Sequence, residues 1–168
     1  RSLPDVTSNY YVGHFKPLFD DSRVYFSIPG GLFFALDINT GETIWTYSSQ
    51  VAERLTSHNV ADFLSPKSLT FLGEEQILLM NSDGYVHCLS FDTGLMRWLK
   101  KADSRAKLIV NNGQVYTMTA DHTLVAFDEN MADPLWTLNL ENTQPFDIEI
   151  LNNQLWIAFN DSIWIVNS

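Results

Sequence analysis

Two stretches of this chain, 53 residues apart, are copies of one another. Gly31-Leu32-Phe33-Phe34-Ala35-Leu36-Asp37-Ile38-Asn39-Thr40-Gly41 aligns with Gly84-Tyr85-Val86-His87-Cys88-Leu89-Ser90-Phe91-Asp92-Thr93-Gly94. Trp45 and Trp98 each follow the Thr-Gly by four residues. A third copy, 123–128, keeps the eight-residue step from Asp128 to Trp136 but has lost its Thr-Gly. A fourth, 155–167, stops before any tryptophan equivalent. Repetition restricts the fold severely: every copy must build the same unit, and each unit must bury its apolar faces against its neighbours.

The unit itself reads as β-structure. Short apolar segments at 23–28, 76–80, 114–119 and 154–159 each run into a polar turn and a second segment that pairs back. The turns hold Gly, Asn and Asp (29–31, 81–84, 120–122, 160–162), residues that tolerate the positive φ of tight hairpins. Alternation places Val24, Phe26 and Ile28 on one face of the first segment and Tyr25 and Ser27 on the other. Another strand is expected before each hairpin, at 11–19, 68–72, 107–110 and 146–151. The Thr-Gly turns ending in Gly41 and Gly94 lead to a fourth strand carrying the tryptophan. Four-stranded units recurring every ~40 residues are the signature of propeller blades. The expected fold is therefore all-β: a propeller or partial propeller of about four antiparallel blades, the last incomplete. One domain spans 1–168, with blades near 11–47, 66–100, 105–140 and 145–168. Trp98 and Trp136 are 38 residues apart but Trp45 and Trp98 are 53 apart, which marks 48–66 as an insertion between blades one and two.

Charge and cysteine content exclude several functions. The net charge of −10 leaves no basic surplus for nucleic-acid phosphates or anionic membrane surfaces. The single cysteine, Cys88, rules out an internal disulfide framework and any multi-cysteine zinc site. The apolar stretch around 31–36 is far shorter than the ~20 residues of a membrane-spanning helix, so no membrane insertion is expected in this segment. Beginning at Arg1 rather than Met, the chain reads as a processed or excised form.

No constellation of catalytic residues emerges. His14, His58, His87 and His122 have no partners at metal-ligand spacing. The run Asn81-Ser82-Asp83-Gly84 resembles the start of a calcium loop, but no Glu follows at the required position and the run aligns with a hairpin turn. Cys88 takes the place of Ala35 and Ala126 and reads as a buried, inert thiol. The acid pairs Asp20-Asp21 and Glu74-Glu75 read as solvated turn residues. Catalytic, metal and cofactor sites are all expected to be absent. Trp45, Trp98, Trp136, Gly41, Gly84 and Gly94 read as structural residues of the repeat. Only the insertion escapes that pattern. Its Val51, Arg54, Leu55, His58 and Phe63 are the candidate partner-binding residues, since function gathers on loops of rigid scaffolds.

Arg23-Val24-Tyr25-Phe26 and the run Ala35-Leu36-Asp37 through Thr40-Gly41 to Trp45 resemble the PQQ-like (quinoprotein-type) propeller repeat. Asp83-Gly84-Tyr85-Val86-His87-Cys88-Leu89 and Thr93-Gly94 to Trp98 match it again. The resemblance covers about 11–168 and weakens toward the C-terminus. It implies tryptophans docked between neighbouring blades. Its members include periplasmic quinoprotein dehydrogenases, the propeller lipoprotein of outer-membrane barrel assembly and luminal stress-sensor domains. The dehydrogenases' Asp base, calcium ligands and cofactor-sandwiching residues have no counterpart motif here. The resemblance therefore implies a non-catalytic protein–protein interaction scaffold in a periplasmic or otherwise extracytoplasmic assembly. Its expected partners are other protein subunits or a second copy of the chain. A fragment of a quinoprotein oxidoreductase and a luminal stress sensor are the alternatives.

Overall fold

The computed structural model describes residues 16–28, 31–49, 66–81, 83–102, 107–119, 121–128, 133–141, 145 and 147–167. Fifteen strands form four antiparallel sheets, and no helix occurs among the described residues. The first sheet holds β1 (Leu18–Phe19), β2 (Arg23–Ile28), β3 (Leu32–Asp37) and β4 (Thr43–Ser48) in chain order. The second holds β5 (Pro66–Leu72), β6 (Gln76–Asn81), β7 (Tyr85–Ser90) and β8 (Met96–Lys101). The third holds β9 (Ile109–Asn111), β10 (Gln114–Met118), β11 (Thr123–Phe127) and β12 (Pro134–Asn139). The fourth has three strands, β13 (Asp147–Leu151), β14 (Gln154–Ala158) and β15 (Ile163–Asn167). These are the four blades of the repeat, the last one short of a strand. Ser48 and Pro66, the ends of the expected insertion, lie within β4 and β5.

The repeat is reproduced in hydrogen bonds as well as in strand order. Ala35, Cys88 and Ala126 stand opposite Trp45, Trp98 and Trp136, and each sheet has a bulge directly after that pair. The end of each fourth strand ties to its hairpin through one bond: Ser49 N to Gly31 O, Ala102 N to Gly84 O and Leu140 N to His122 O. Gly31 and Gly84 adopt φ of 77° and 82°, and His122 adopts 61° at the same place. A β-branched or bulky residue pays for that conformation, whereas glycine adopts it freely. The buried Nδ1 of the His122 ring has no hydrogen-bond partner among the described residues. His122→Gly should therefore stabilise the fold by about 1 kcal/mol. An unchanged or lowered urea midpoint would contradict this.

Alternation gives every sheet two apolar faces, and they pack in a fixed order. What may be termed the leading face carries Tyr25, Phe33, Ala35 and Trp45 in the first sheet. The opposite, trailing face carries Ile77, Leu79 and Leu89 in the second, and these residues form one cluster with the first sheet's leading face. Leu78, Met80, Val86, Cys88 and Trp98 on the second sheet's leading face pack on Val115, Val125 and Phe127 of the third. Tyr116, Met118, Leu124, Ala126 and Trp136 then pack on Leu155 and Ile157 of the fourth. Each core cluster among the described residues joins two consecutive sheets, and none joins the fourth to the first. A blade that cannot bury both faces alone is thus stabilised by its neighbours, at roughly 1.5–3 kcal/mol for each fully buried large apolar side chain.

Candidate functional site

Among the described residues, the seam between the first and second sheets is densely joined by side-chain hydrogen bonds and ring contacts. It also lies where the chain leaves β4 and re-enters at β5, at the two ends of the insertion. Trp45 is 8% exposed. Its ring meets Phe33 at 5.5 Å and Tyr25 at 6.0 Å between centroids. Its indole N–H donates to the Phe91 carbonyl, 3.1 Å away in the second sheet's Thr-Gly turn. The same carbonyl accepts from Arg23 Nη1 at 3.1 Å, and the Arg23 guanidinium lies 4.7 Å over the Phe91 ring and 3.0 Å from Asp92. Trp98 and Trp136, equivalent by register, are half-buried in their seams.

Gly94 is the place in the second sheet on which the Trp45 ring lands. A β-carbon built on it would lie 2.6 Å from Cδ2 and 3.0 Å from Cζ3 of Trp45. Trp45 of the first repeat therefore seats on the Thr-Gly turn of the second. Gly41, the first repeat's equivalent, has nothing within 4 Å of such an atom.

Deeper in the seam is a buried polar chain that the sequence did not disclose. His87 and the Asp83 side chain are both essentially inaccessible. Asp83 Oδ2 accepts from His87 Nε2 at 2.8 Å and from the Ser49 hydroxyl at 3.1 Å, while Oδ1 accepts from the Tyr85 backbone N–H at 2.9 Å. The Tyr47 hydroxyl lies 2.9 Å from His87 Nδ1. A neutral imidazole carrying its proton on Nε2 satisfies both contacts: it donates to Asp83 and accepts from Tyr47. Tyr47 and Ser49 come from the end of the first sheet, Asp83 and His87 from the second. The group is a clasp at the root of the insertion, and Ser49 is the last residue described before it. A Tyr–His–Asp arrangement can relay protons, but every member here is engaged in holding two sheets together. Asp83 is thus not a solvent-facing turn residue.

Asp20 also departs from the expected solvated acid. Its Oδ1 caps the backbone N–H groups of Ser22 and Arg23, and its Oδ2 accepts from the Tyr25 hydroxyl at 2.9 Å. Asp21, Glu74 and Glu75 are exposed. Cys88 is buried and its thiol donates to Gln76 Oε1 at 2.8 Å. His14 and the insertion residues Val51, Arg54, Leu55, His58 and Phe63 lie outside the described residues. No group of three or more His, Cys, Asp or Glu side chains that could hold a metal occurs among the described residues.

The buried acids of the seams predict alkaline sensitivity. Burial pushes the Cys88 thiol from 9.0 up to about 12. Burial, with the Asp83 charge adding, pushes the Tyr47 phenol from 10.0 up to about 12. Burial and the bond to Asp20 raise Tyr25 as well. In each case folding favours the neutral form. That stability is intact below the ordinary values and is lost as pH rises through the folded ones. The thermal midpoint should fall steadily between pH 9 and about 12, and Cys88→Ala should remove the earliest part of the decline. A midpoint flat to pH 12 would contradict the seam assignment.

Comparison with known proteins agrees with this architecture. The profile of the family described as outer membrane protein assembly factor BamB matches residues 6–98 and, overlapping, 64–158. The outer membrane protein assembly factor BamB of Yersinia pestis is 26% identical over 133 residues, 78% of this chain and 33% of its own length. The chain thus spans about a third of that relative. The crystal structure of BamB from Moraxella catarrhalis superposes with a TM-score of 0.51 at 17% identity, covering 90% of this chain and 60% of that one. The computationally designed Ika4 protein superposes with a TM-score of 0.66 at 17% identity, covering 89% of each chain. With the repeat, the sheet order and the family profile in agreement over nearly the whole length, the chain belongs to the PQQ-like propeller-repeat family of outer membrane protein assembly factor BamB.

Proposed function

We propose that the chain is a non-catalytic interaction scaffold of an extracytoplasmic assembly that serves outer-membrane protein insertion. The family profile carries this reading, because it spans both halves of the chain and belongs to an assembly factor. The chemistry of the seams supports it. The polar side chains Tyr47, Ser49, Asp83 and His87 bond to one another across two blades, so they are engaged in holding the first two sheets together. In this reading the blades are a rigid frame and the partner contacts fall on the insertion, at Val51, Arg54, Leu55, His58 and Phe63. Arg54 is of a residue type enriched at interface hot spots, and Leu55 and Phe63 add apolar area.

Photo-crosslinking in the periplasm tests this. The chain is exported from a Gram-negative host with a light-activated amino acid at Leu55 or Phe63, and with Thr46 on the first sheet as a control position. Insertion probes should give a discrete adduct with an outer-membrane assembly protein, and the control should not. Adducts no richer than the control's would overturn the reading. So would pyrroloquinoline quinone retained stoichiometrically, with its absorbance, by the purified chain after incubation with calcium.

A further inference from the structure

Met96 stands where the first seam opens to solvent. It is 40% exposed, whereas Met80 and Met118 are buried. It lies on β8 opposite Leu89, on the face of the second sheet that meets the first. Its sulfur is 3.5 Å from the Tyr47 hydroxyl, and that hydroxyl is also 2.9 Å from His87 Nδ1. Tyr47 has one proton to give and two acceptors within reach. A thioether is a weak acceptor and an imidazole nitrogen a good one, so the proton goes to His87 and completes the clasp. The accessible sulfur therefore touches the donor on which His87 Nδ1 depends.

We propose that Met96 is an oxidation site whose sulfoxide switches the clasp from closed to loosened. A peroxide supplies the oxygen. The sulfur lone pair attacks one peroxide oxygen, and an S–O bond forms as the O–O bond breaks. The hydroxide released takes the proton from the transferred oxygen and leaves as water. Sulfur gives up two electrons and the peroxide accepts them, so methionine and hydrogen peroxide yield methionine sulfoxide and water. The product carries a strongly polar oxygen one bond from the sulfur, on a side chain flexible enough to turn it toward Tyr47. Tyr47 then donates to the sulfoxide in place of His87, and Nδ1 loses its donor. A buried acceptor without a donor is costly, and the bond given up is one of those that join the first sheet to the second. The effect extends to Ser49, because its hydroxyl and His87 share the same Asp83 oxygen. Sulfoxide reductases return the thioether, so the change is reversible. The switch is a property of the seam and holds whether or not a partner binds the insertion.

Dilute hydrogen peroxide on the purified chain, with peptide mass spectrometry to locate the added oxygen, tests the site. Met96 should oxidise about tenfold faster than Met80 and Met118. Nitrogen-15 NMR of the singly oxidised chain should show the His87 Nδ1 resonance moved toward that of an imidazole nitrogen without a donor, and a methionine sulfoxide reductase should move it back. The urea midpoint should fall on oxidation and stay in place in Met96→Leu under the same treatment. It should fall by much less in Tyr47→Phe, which oxidises at the same sulfur but has no proton to divert. The NMR measurement needs no variant and decides the matter if Tyr47→Phe does not fold. Met96 oxidising no faster than the buried methionines would overturn the inference. So would a His87 resonance unmoved by oxidation, or an equal fall in midpoint in Tyr47→Phe.

Discussion

Trp45→Ala should destabilise the protein by about 3–5 kcal/mol, the cost of emptying a well-packed aromatic site. Three contributions coincide at this residue. The indole is buried against Tyr25 and Phe33, it donates across the seam to Phe91, and it covers Gly94 of the second sheet. Removal leaves a cavity between two sheets and leaves the Phe91 carbonyl with only its Arg23 donor. For a chain of 168 residues that loss corresponds to a fall of roughly 10 °C in thermal midpoint. Trp98→Ala and Trp136→Ala should cost about half as much, since those rings are only half-buried. Urea unfolding of the three variants checks the order. Equal costs at all three positions would mean that the first seam is not the tightest.

Gly94→Ala should cost about 2–5 kcal/mol and Gly41→Ala only about 1 kcal/mol, although the two glycines hold the same place in the repeat. Both have positive φ, 67° and 70°, so both substitutions carry the left-handed backbone penalty. Only at Gly94 does the new methyl group meet a ring, and Trp45 is itself fixed by its hydrogen bond and its aromatic neighbours. The difference between the two variants isolates the steric term of the seam. In a Trp45→Ala background that difference should largely vanish, because the obstructing ring is gone. If it persists, Trp45 is not what Gly94 accommodates.

The blades were legible in the sequence because the signals that build them are local. A hairpin glycine at Gly84, a Thr-Gly turn at Gly94 and period-two alternation through Val24, Tyr25 and Phe26 each specify backbone geometry within a few residues. The hairpin strands followed from the same signals, and the short fourth sheet from the absence of a fourth tryptophan segment, whereas the strand expected at 11–19 is only Leu18–Phe19 among the described residues. The direction of stacking was not legible. Trp45 and Gly41 are neighbours in sequence, but the glycine that receives Trp45 is Gly94, a tertiary fact with no local trace. The clasp was hidden for the same reason. His87 aligns with Phe34 and Val125, so its position reads as a packing site, and Asp83 reads as a turn residue. The polar partners that make them a unit, Tyr47 and Ser49, lie about 35–40 residues upstream on another sheet. The only sequence cue was an Asp four residues before a His on a strand, which is too common a pattern to single out. Asp20 is a partly exposed turn acid, and its bond to the Tyr25 hydroxyl was hidden because the hairpin has to fold before the two meet.

The central claim is that the first blade closes on the second through a tryptophan, Trp45, seated on the glycine turn at Gly94. Proton NMR tests it directly. In the folded chain a Gly94 Hα should show strong nuclear Overhauser contacts to the Trp45 ring protons and a marked upfield ring-current shift, and both should disappear in Trp45→Leu, which carries no ring. Contacts from the Trp45 ring to Gly41 in its own repeat, with Gly94 at ordinary shifts, would contradict the account.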